Sequence, residues 1–299
     1  MSSNSALQRI RRLYNANKAG HTGSLDPLAT GVLPICFGEA TKFSQYLLNA
    51  DKAYRVKARF GVLTDTCDTD GQVIEKRDAS SITQAQIEIA MKPLTGDIEQ
   101  VPPMYSALKQ DGQRLYKLAR QGIEVERKPR PVTIQNFRLL EFQSAEQVTA
   151  VFEVKCTKGT YIRSLVLDLG EALGCGATVA ELRRISSGDF DESHIVGESG
   201  LAAEMGEGDA AILDHHLMPM DCLMEGFNRV DLNSASTEFF MLGQAVMLPQ
   251  AYRFGAEGDI VRVFREEGDL DSTFLGAGEI TGGATSQPML QPKRLRSDI

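Results

Sequence analysis

The stretch HTGSLDPLATG, His21 to Gly31, sets one carboxylate, Asp26, between two glycines and directly before a proline. Proline at 27 biases Asp26 away from the helical region, and Gly23 and Gly31 permit sharp bends on either side. The carboxylate is therefore expected to project from an irregular loop. Taken alone, an Asp before Pro reads as turn chemistry, a bond from the side chain to its own backbone. The rest of the chain has to decide between that reading and a catalytic one.

On either side the chain alternates between elements. Residues 5–13 carry Ala6, Ile10 and Leu13 at helical spacing, with Arg9, Arg11 and Arg12 largely opposite. ATKFSQYLLNA reads as a short amphipathic helix. In AYRVKARFG, Tyr54, Val56, Ala58 and Phe60 alternate with Arg55, Lys57 and Arg59, which makes a strand with one apolar and one basic face. TDTCDTDG resembles a calcium loop at Asp68, Asp70 and Gly71. Its first and twelfth positions would be Thr66 and Arg77, so two essential carboxylates are missing and calcium is rejected.

A helix is expected from about Thr83 to Lys92. The basic, punctuated segment 102–130, turning at Asp111-Gly112, is either a mobile insertion over a ligand or a solvated connector. VTAVFEVKC (148–156) alternates again. IRSLVLDLGEALGCG then places Ile162, Leu165, Val166, Leu169 and Leu173 on one helical face, with Gly174 as the stop. From about Asn228, short strands between glycines predict a small β-rich module.

Composition bounds the class. With 42% hydrophobic and 24% charged residues the chain reads as globular, and no apolar run approaches the ~20 residues of a membrane helix. The N-terminus lacks the apolar core of a signal peptide, so the cytoplasm is expected. Five cysteines (36, 67, 156, 175, 222) at scattered spacings read as reduced thiols, and no metal is expected. The net charge of −8 hides an uneven distribution. Residues 188–226 hold ten acids and no Lys or Arg, whereas 1–59 hold nine Lys/Arg against three acids and 102–138 hold eight against three. That pattern suits a chain meeting nucleic acid on one face, and equally suits ordinary surface charge. Dinucleotide, P-loop, zinc-protease and serine-hydrolase motifs are absent.

HTGSLDPLATG, then AYRVKARFG with TDTCDTDG, then KGTYIRSL resemble, in order and wording, the bacterial tRNA pseudouridine-55 synthases of the TruB family. The likeness is strongest from Ser2 to about Arg184. It implies an α+β catalytic domain over 1–225, built on a mixed, mainly antiparallel sheet, with an RNA-contacting insertion at about 102–130. A PUA-like RNA-binding β module over 228–299 follows. The implied reaction isomerises uridine 55 in the T-loop of tRNA, without a cofactor, by flipping the nucleotide out and detaching, rotating and rejoining its uracil.

Each matching residue acquires a task from the resemblance. Asp26 is the essential aspartate acting at the ribose C1′, where an anion suits an oxocarbenium-like centre. Arg163 pairs with Asp26 and fixes its rotamer. Tyr54 stacks on the target base, His21 helps hold the loop once the base has left, and Tyr161 and Leu182 line the pocket. Leu182 reads equally as an ordinary core leucine, and Tyr54 as core packing at the start of its strand. Arg55, Lys57 and Arg59 are candidate phosphate contacts. A monomer that binds the T-arm of tRNA, away from any membrane, is expected.

Family members begin with a strand and a Lys-Pro motif ahead of the segment matching MSSN. This sequence lacks them, and a start placed too late is expected, because the sheet would otherwise expose an edge. The gap leaves a second class open, a tRNA-binding folding helper with weak or lost catalysis. A third is an enzyme acting on another uridine.

Overall fold

The computed structural model describes residues 1–267, 271–282 and 287–298. Contacts divide the chain into two compact units. The first comprises Met1–Ser3, Leu25–Leu33 and Asn49–Ile195; the second comprises Asn4–Ser24, Pro34–Leu48 and the chain from Val196 onward. Two early segments are thus grouped with the C-terminal part.

The first unit is built on a seven-stranded sheet: β1 (Thr30–Gly31), β2 (Lys52–Phe60), β3 (Gly96–Gln100), β4 (Arg130–Ser144), β5 (Val148–Cys156), β6 (Ala177–Ser187) and β7 (Phe190–Asp191). The order is β7-β6-β2-β5-β4-β3, with β1 alongside β6. All pairings are antiparallel except β1 with β6, so the sheet is mixed and mainly antiparallel. Period two works in β2 and β5 as the sequence predicts. Val56, Ala58 and Phe60 face inward beside Ala150, Phe152 and Val154, with Val56 opposite Phe152.

Two helices complete this core. α1 (Gln84–Met91) starts at a capping box in which the Thr83 side chain accepts from the Gln86 N–H and the Gln86 side chain returns the bond. α2 (Ile162–Ala172) buries Ile162, Leu165, Val166 and Leu169, each contributing roughly 1.5–3 kcal/mol of apolar burial. Gly170 lets α2 approach β6, since a Cβ there would lie 2.2 Å from the Ala177 nitrogen. Segment 102–130 folds as irregular chain, a hairpin of Lys109–Gln110 with Gln113–Arg114, and a short helix Leu115–Arg120. The hairpin turns at Asp111-Gly112, both at positive φ.

The second unit contains a five-stranded sheet: β8 (Arg229–Leu232), β9 (Val246–Met247), β10 (Ile260–Glu267), β11 (Asp271–Thr281) and β12 (Met289–Leu295), in the order β8-β10-β11-β12-β9. Val230, Phe240, Val261, Val263, Leu275 and Leu290 form its core. The N-terminal helix Ser3–Leu13, the ladder of Ala19–His21 with Ile35–Phe37, α3 (Glu198–Met205) and α4 (Ser234–Met241) accompany the sheet. The single helix expected over 40–50 is instead a 3-10 turn, Gly38–Lys42, and a helix, Ser44–Leu48. Hydroxyls compete for the backbone there: Thr41 donates to the Gly38 carbonyl and Ser44 to that of Thr41. The cysteines are free thiols, with Cys36, Cys156 and Cys175 buried.

Candidate active site

The Asp26 loop is stitched down at both ends. The Ser3 hydroxyl accepts from the Leu25 N–H at 2.7 Å and donates to the Leu25 carbonyl. The Ala29 N–H donates to the Asp26 carbonyl at 2.9 Å, closing a four-residue turn whose second position is Pro27, as proline's fixed φ favours. Thr30 and Gly31 then run parallel to Arg183 and Arg184 of β6, and the Val32 N–H donates to the Arg184 carbonyl at 2.8 Å. Gly31 has φ +101°, and a Cβ there would sit 2.1 Å from that carbonyl oxygen. Asp26 is thus held by backbone geometry while its side chain stays 32% exposed.

Arg163, second residue of α2, lies beneath it with its side chain 4% exposed. Its Nε donates to Asp26 Oδ2 and its Nη2 to Asp26 Oδ1, both at 2.8 Å, a bidentate fork across 137 positions of sequence. The remaining directions are also used: Nη1 donates to the Thr66 carbonyl and Nη2 to the Tyr105 carbonyl, each at 2.9 Å. A buried guanidinium with four such bonds has one orientation, so the Asp26 carboxylate has one as well.

The loop after β2 supplies more than the Thr66 carbonyl. Asp68, 5% exposed, stands 3.6 Å from Arg163 Nη1. The Thr66 hydroxyl donates to Asp68 Oδ1 at 2.6 Å and the Asp70 N–H to the same atom. Burial raises the Asp68 pKa, against the pull of the Thr66 bond and of Arg163. Sequence reading weighed Asp68 only as a calcium ligand; the fold uses it as a second carboxylate on the guanidinium.

Tyr161 caps α2, and its backbone is clamped by the Gln100 amide. Its N–H donates to Gln100 Oε1 at 2.7 Å, and Gln100 Nε2 donates to its carbonyl at 3.0 Å. Tyr54 lies half-buried on β2 directly opposite Arg184 of β6. Burial pushes its phenol up to about 12, against the Arg184 guanidinium hydrogen-bonded to it. Arg184, only 1% exposed, also donates from Nε to the Val32 carbonyl at 2.7 Å, so it connects Tyr54 to the end of the Asp26 loop. Nothing in the sequence singled out Arg184, which reads there as one of two adjacent arginines.

Leu182 is buried opposite Val56 and belongs to the core cluster of the first unit. Arg55 is exposed on the outer face of β2, Lys57 stands 3.4 Å from Glu181, and Arg59 lies against the Gln147 amide. His21 belongs to the second unit, where it pairs with Ile35 and its Nδ1 accepts from the Gly23 N–H. Asp26, Arg163, Tyr54 and Tyr161 are therefore all held in the first unit. Among the described residues no helix is long and apolar enough to cross a membrane.

Comparison with known proteins agrees along nearly the whole chain. Residues 11–162 match the TruB family pseudouridylate synthase N-terminal domain, 163–225 the tRNA pseudouridylate synthase B C-terminal domain, and 229–295 the Pseudouridine synthase II TruB C-terminal model. Curated relatives include the tRNA pseudouridine synthase B of Saccharophagus degradans, 54% identical over 99% of this chain and 92% of the relative. That of Stutzerimonas stutzeri is 50% identical over 98% and 91%. Among solved structures, a Cbf5-Nop10-Gar1 complex is similar with TM-score 0.72 at 25% identity, covering 99% of this chain and 81% of that one. An archaeal box H/ACA sRNP Nop10-Cbf5 complex gives 0.71 at 22%, covering 99% and 82%. Sequence identity of this order over this length, on a pseudouridine synthase fold, means that the chain belongs to the TruB family of pseudouridylate synthases.

Proposed function

We propose that this chain isomerises uridine 55 in the T-loop of tRNA to pseudouridine, with Asp26 as the essential carboxylate. The observation that carries the reading is the partly exposed Asp26 side chain held in a bidentate fork by the buried Arg163. An anion fixed in this way suits a sugar centre that gains positive charge as its glycosidic bond breaks. The flipped nucleotide presents C1′ to Asp26, the C1′–N1 bond breaks, and the uracil rotates. A C1′–C5 bond then forms while C5 loses a proton and N1 gains one, so atoms balance without a co-reactant. Asp26 acts either by bonding to the sugar or by removing a proton.

In this reading Tyr54 stacks on the base, Arg184 positions Tyr54, Tyr161 and Leu182 wall the pocket, and His21 holds the emptied loop. Residues 1–225 act as the catalytic domain, 102–130 contact the T-arm, and the PUA-like module over 228–299 adds RNA affinity to a cytoplasmic monomer. The test is incubation of the purified chain with an unmodified tRNA transcript, followed by chemical mapping of pseudouridine. Product at position 55 is expected, and Asp26→Asn removes it while leaving tRNA affinity within a few-fold. Full turnover by Asp26→Asn, or product only elsewhere, would refute the assignment.

A further inference from the structure

Away from the Asp26 site, three metal-ligating side chains converge within the second unit. Glu204 lies near the end of α3, and His215 and His216 close the 3-10 segment Ala210–His216. Glu204 Oε1 is 3.2 Å from His215 Nε2, and Oε2 is 2.8 Å from His216 Nε2. One ligand atom from each residue lies within 4.8 Å of the other two. The two imidazole rings lie with centroids 3.9 Å apart, tilted by 41°. The Ile212 carbonyl, 2.9 Å from His215 Nδ1, can only accept, so Nδ1 carries a proton. With Nδ1 engaged by that carbonyl, Nε2 is the His215 nitrogen turned toward the Glu204 carboxylate. A backbone carbonyl on the far nitrogen is also how metal-bound imidazoles are oriented.

We propose that Glu204, His215 and His216 form a binding site for a divalent transition-metal ion, zinc foremost. Two imidazole nitrogens and one carboxylate suit zinc better than magnesium or calcium, which prefer oxygen. With bonds of ~2.0–2.1 Å, ligand atoms in a tetrahedral zinc site stand about 3.4 Å apart. The present spacings of 2.8 and 3.2 Å therefore need only a small opening to admit the ion. Ten acids without a Lys or Arg over 188–226 raise the local concentration of cations. A bound ion would tie α3 to the 3-10 segment, joining residues up to twelve apart in sequence. The expectation of no metal rested on the cysteine spacings, the incomplete calcium loop and the absent zinc-protease motif, none of which bears on Glu204, His215 and His216.

The test titrates the full-length chain, stripped of metal by a chelator, with zinc chloride in a calorimeter. One tight equivalent and a higher unfolding midpoint are expected. His215→Asn/His216→Asn and, separately, the conservative Glu204→Gln are each expected to weaken binding by more than about tenfold and to abolish the midpoint shift. Their circular dichroism should match the parent chain. Cobalt as a spectroscopic probe is expected to show nitrogen and oxygen ligation. A thiolate charge-transfer band, equal affinity in the double variant, or no binding at millimolar zinc would each overturn the proposal.

Discussion

Arg163 makes four hydrogen bonds from one guanidinium, two to Asp26 and two to backbone carbonyls. Lysine has three donors on a point charge and cannot reproduce that fork. Arg163→Lys is therefore expected to lower kcat by roughly a hundredfold or more, with tRNA affinity within a few-fold, as steady-state kinetics and filter binding would show. Arg163→Ala also strands the buried Asp68 carboxylate, and a stability loss of about 3–5 kcal/mol is expected by denaturant titration. At Gly31 the demand is steric. Gly31→Ala sets a Cβ against the Arg184 carbonyl at an unfavourable φ, so the Asp26 loop must lift, and activity is expected to fall by at least about tenfold while the core stays folded. Of these residues, Asp26 and Gly31 were legible in the sequence as parts of an irregular loop, whereas the pairing of Asp26 with Arg163 was legible only through the family resemblance. No local pattern pairs side chains 137 positions apart, and nothing in ELRRI marks the second arginine as the buried one.

At the scale of elements, α2 pairs a well-packed apolar face with a half-buried acid, Asp168. Burial pushes the Asp168 carboxyl up to about 6, with Glu171 adding to the shift. Between the unfolded value of about 3.9 and 6 the folded chain holds the extra proton, so this group's contribution to stability is full below that window and lost as pH rises through it. Asp168→Asn keeps the shape and removes the charge. After allowance for partial solvent screening it is expected to stabilise by about 1–2 kcal/mol at neutral pH, with the gain vanishing below about pH 4. Urea titrations at the two pH values would check this, and an equal gain at both would contradict it. Among the elements read in advance, β2, β5 and α2 keep an unbroken period. Strands β4 and β6 do not. Register shifts at Ile134/Asn136 and Leu139/Glu141 in β4, and at Val179/Glu181 and Arg184/Ser186 in β6, reset which side chains face inward. An alternation read straight through those positions fails to find a strand.

At the scale of the whole molecule, a chain of net charge −8 has to hold a polyanion, and the two units interleave segments far apart in sequence. Neither the interleaving nor the local field follows from composition; both depend on which charges the fold leaves unpaired. The outer face of β2 offers a direct test because its three cations differ. Arg55 is exposed, whereas Lys57 faces Glu181 at 3.4 Å and Arg59 lies against the Gln147 amide. If this face meets phosphates, each contact releases counterions, and losing one lowers the slope of log affinity against log salt by roughly 0.7–0.9. Arg55→Gln is expected to do so for an unmodified T-arm hairpin, and Lys57→Gln to have a smaller effect on affinity, because Lys57 must first leave its carboxylate. Glu181→Gln should have the opposite sign, tightening RNA binding at low salt by freeing Lys57, with the difference disappearing as salt screens the pair. Unchanged slopes in Arg55→Gln together with unchanged affinity in Glu181→Gln would mean that the T-arm does not lie on this strand.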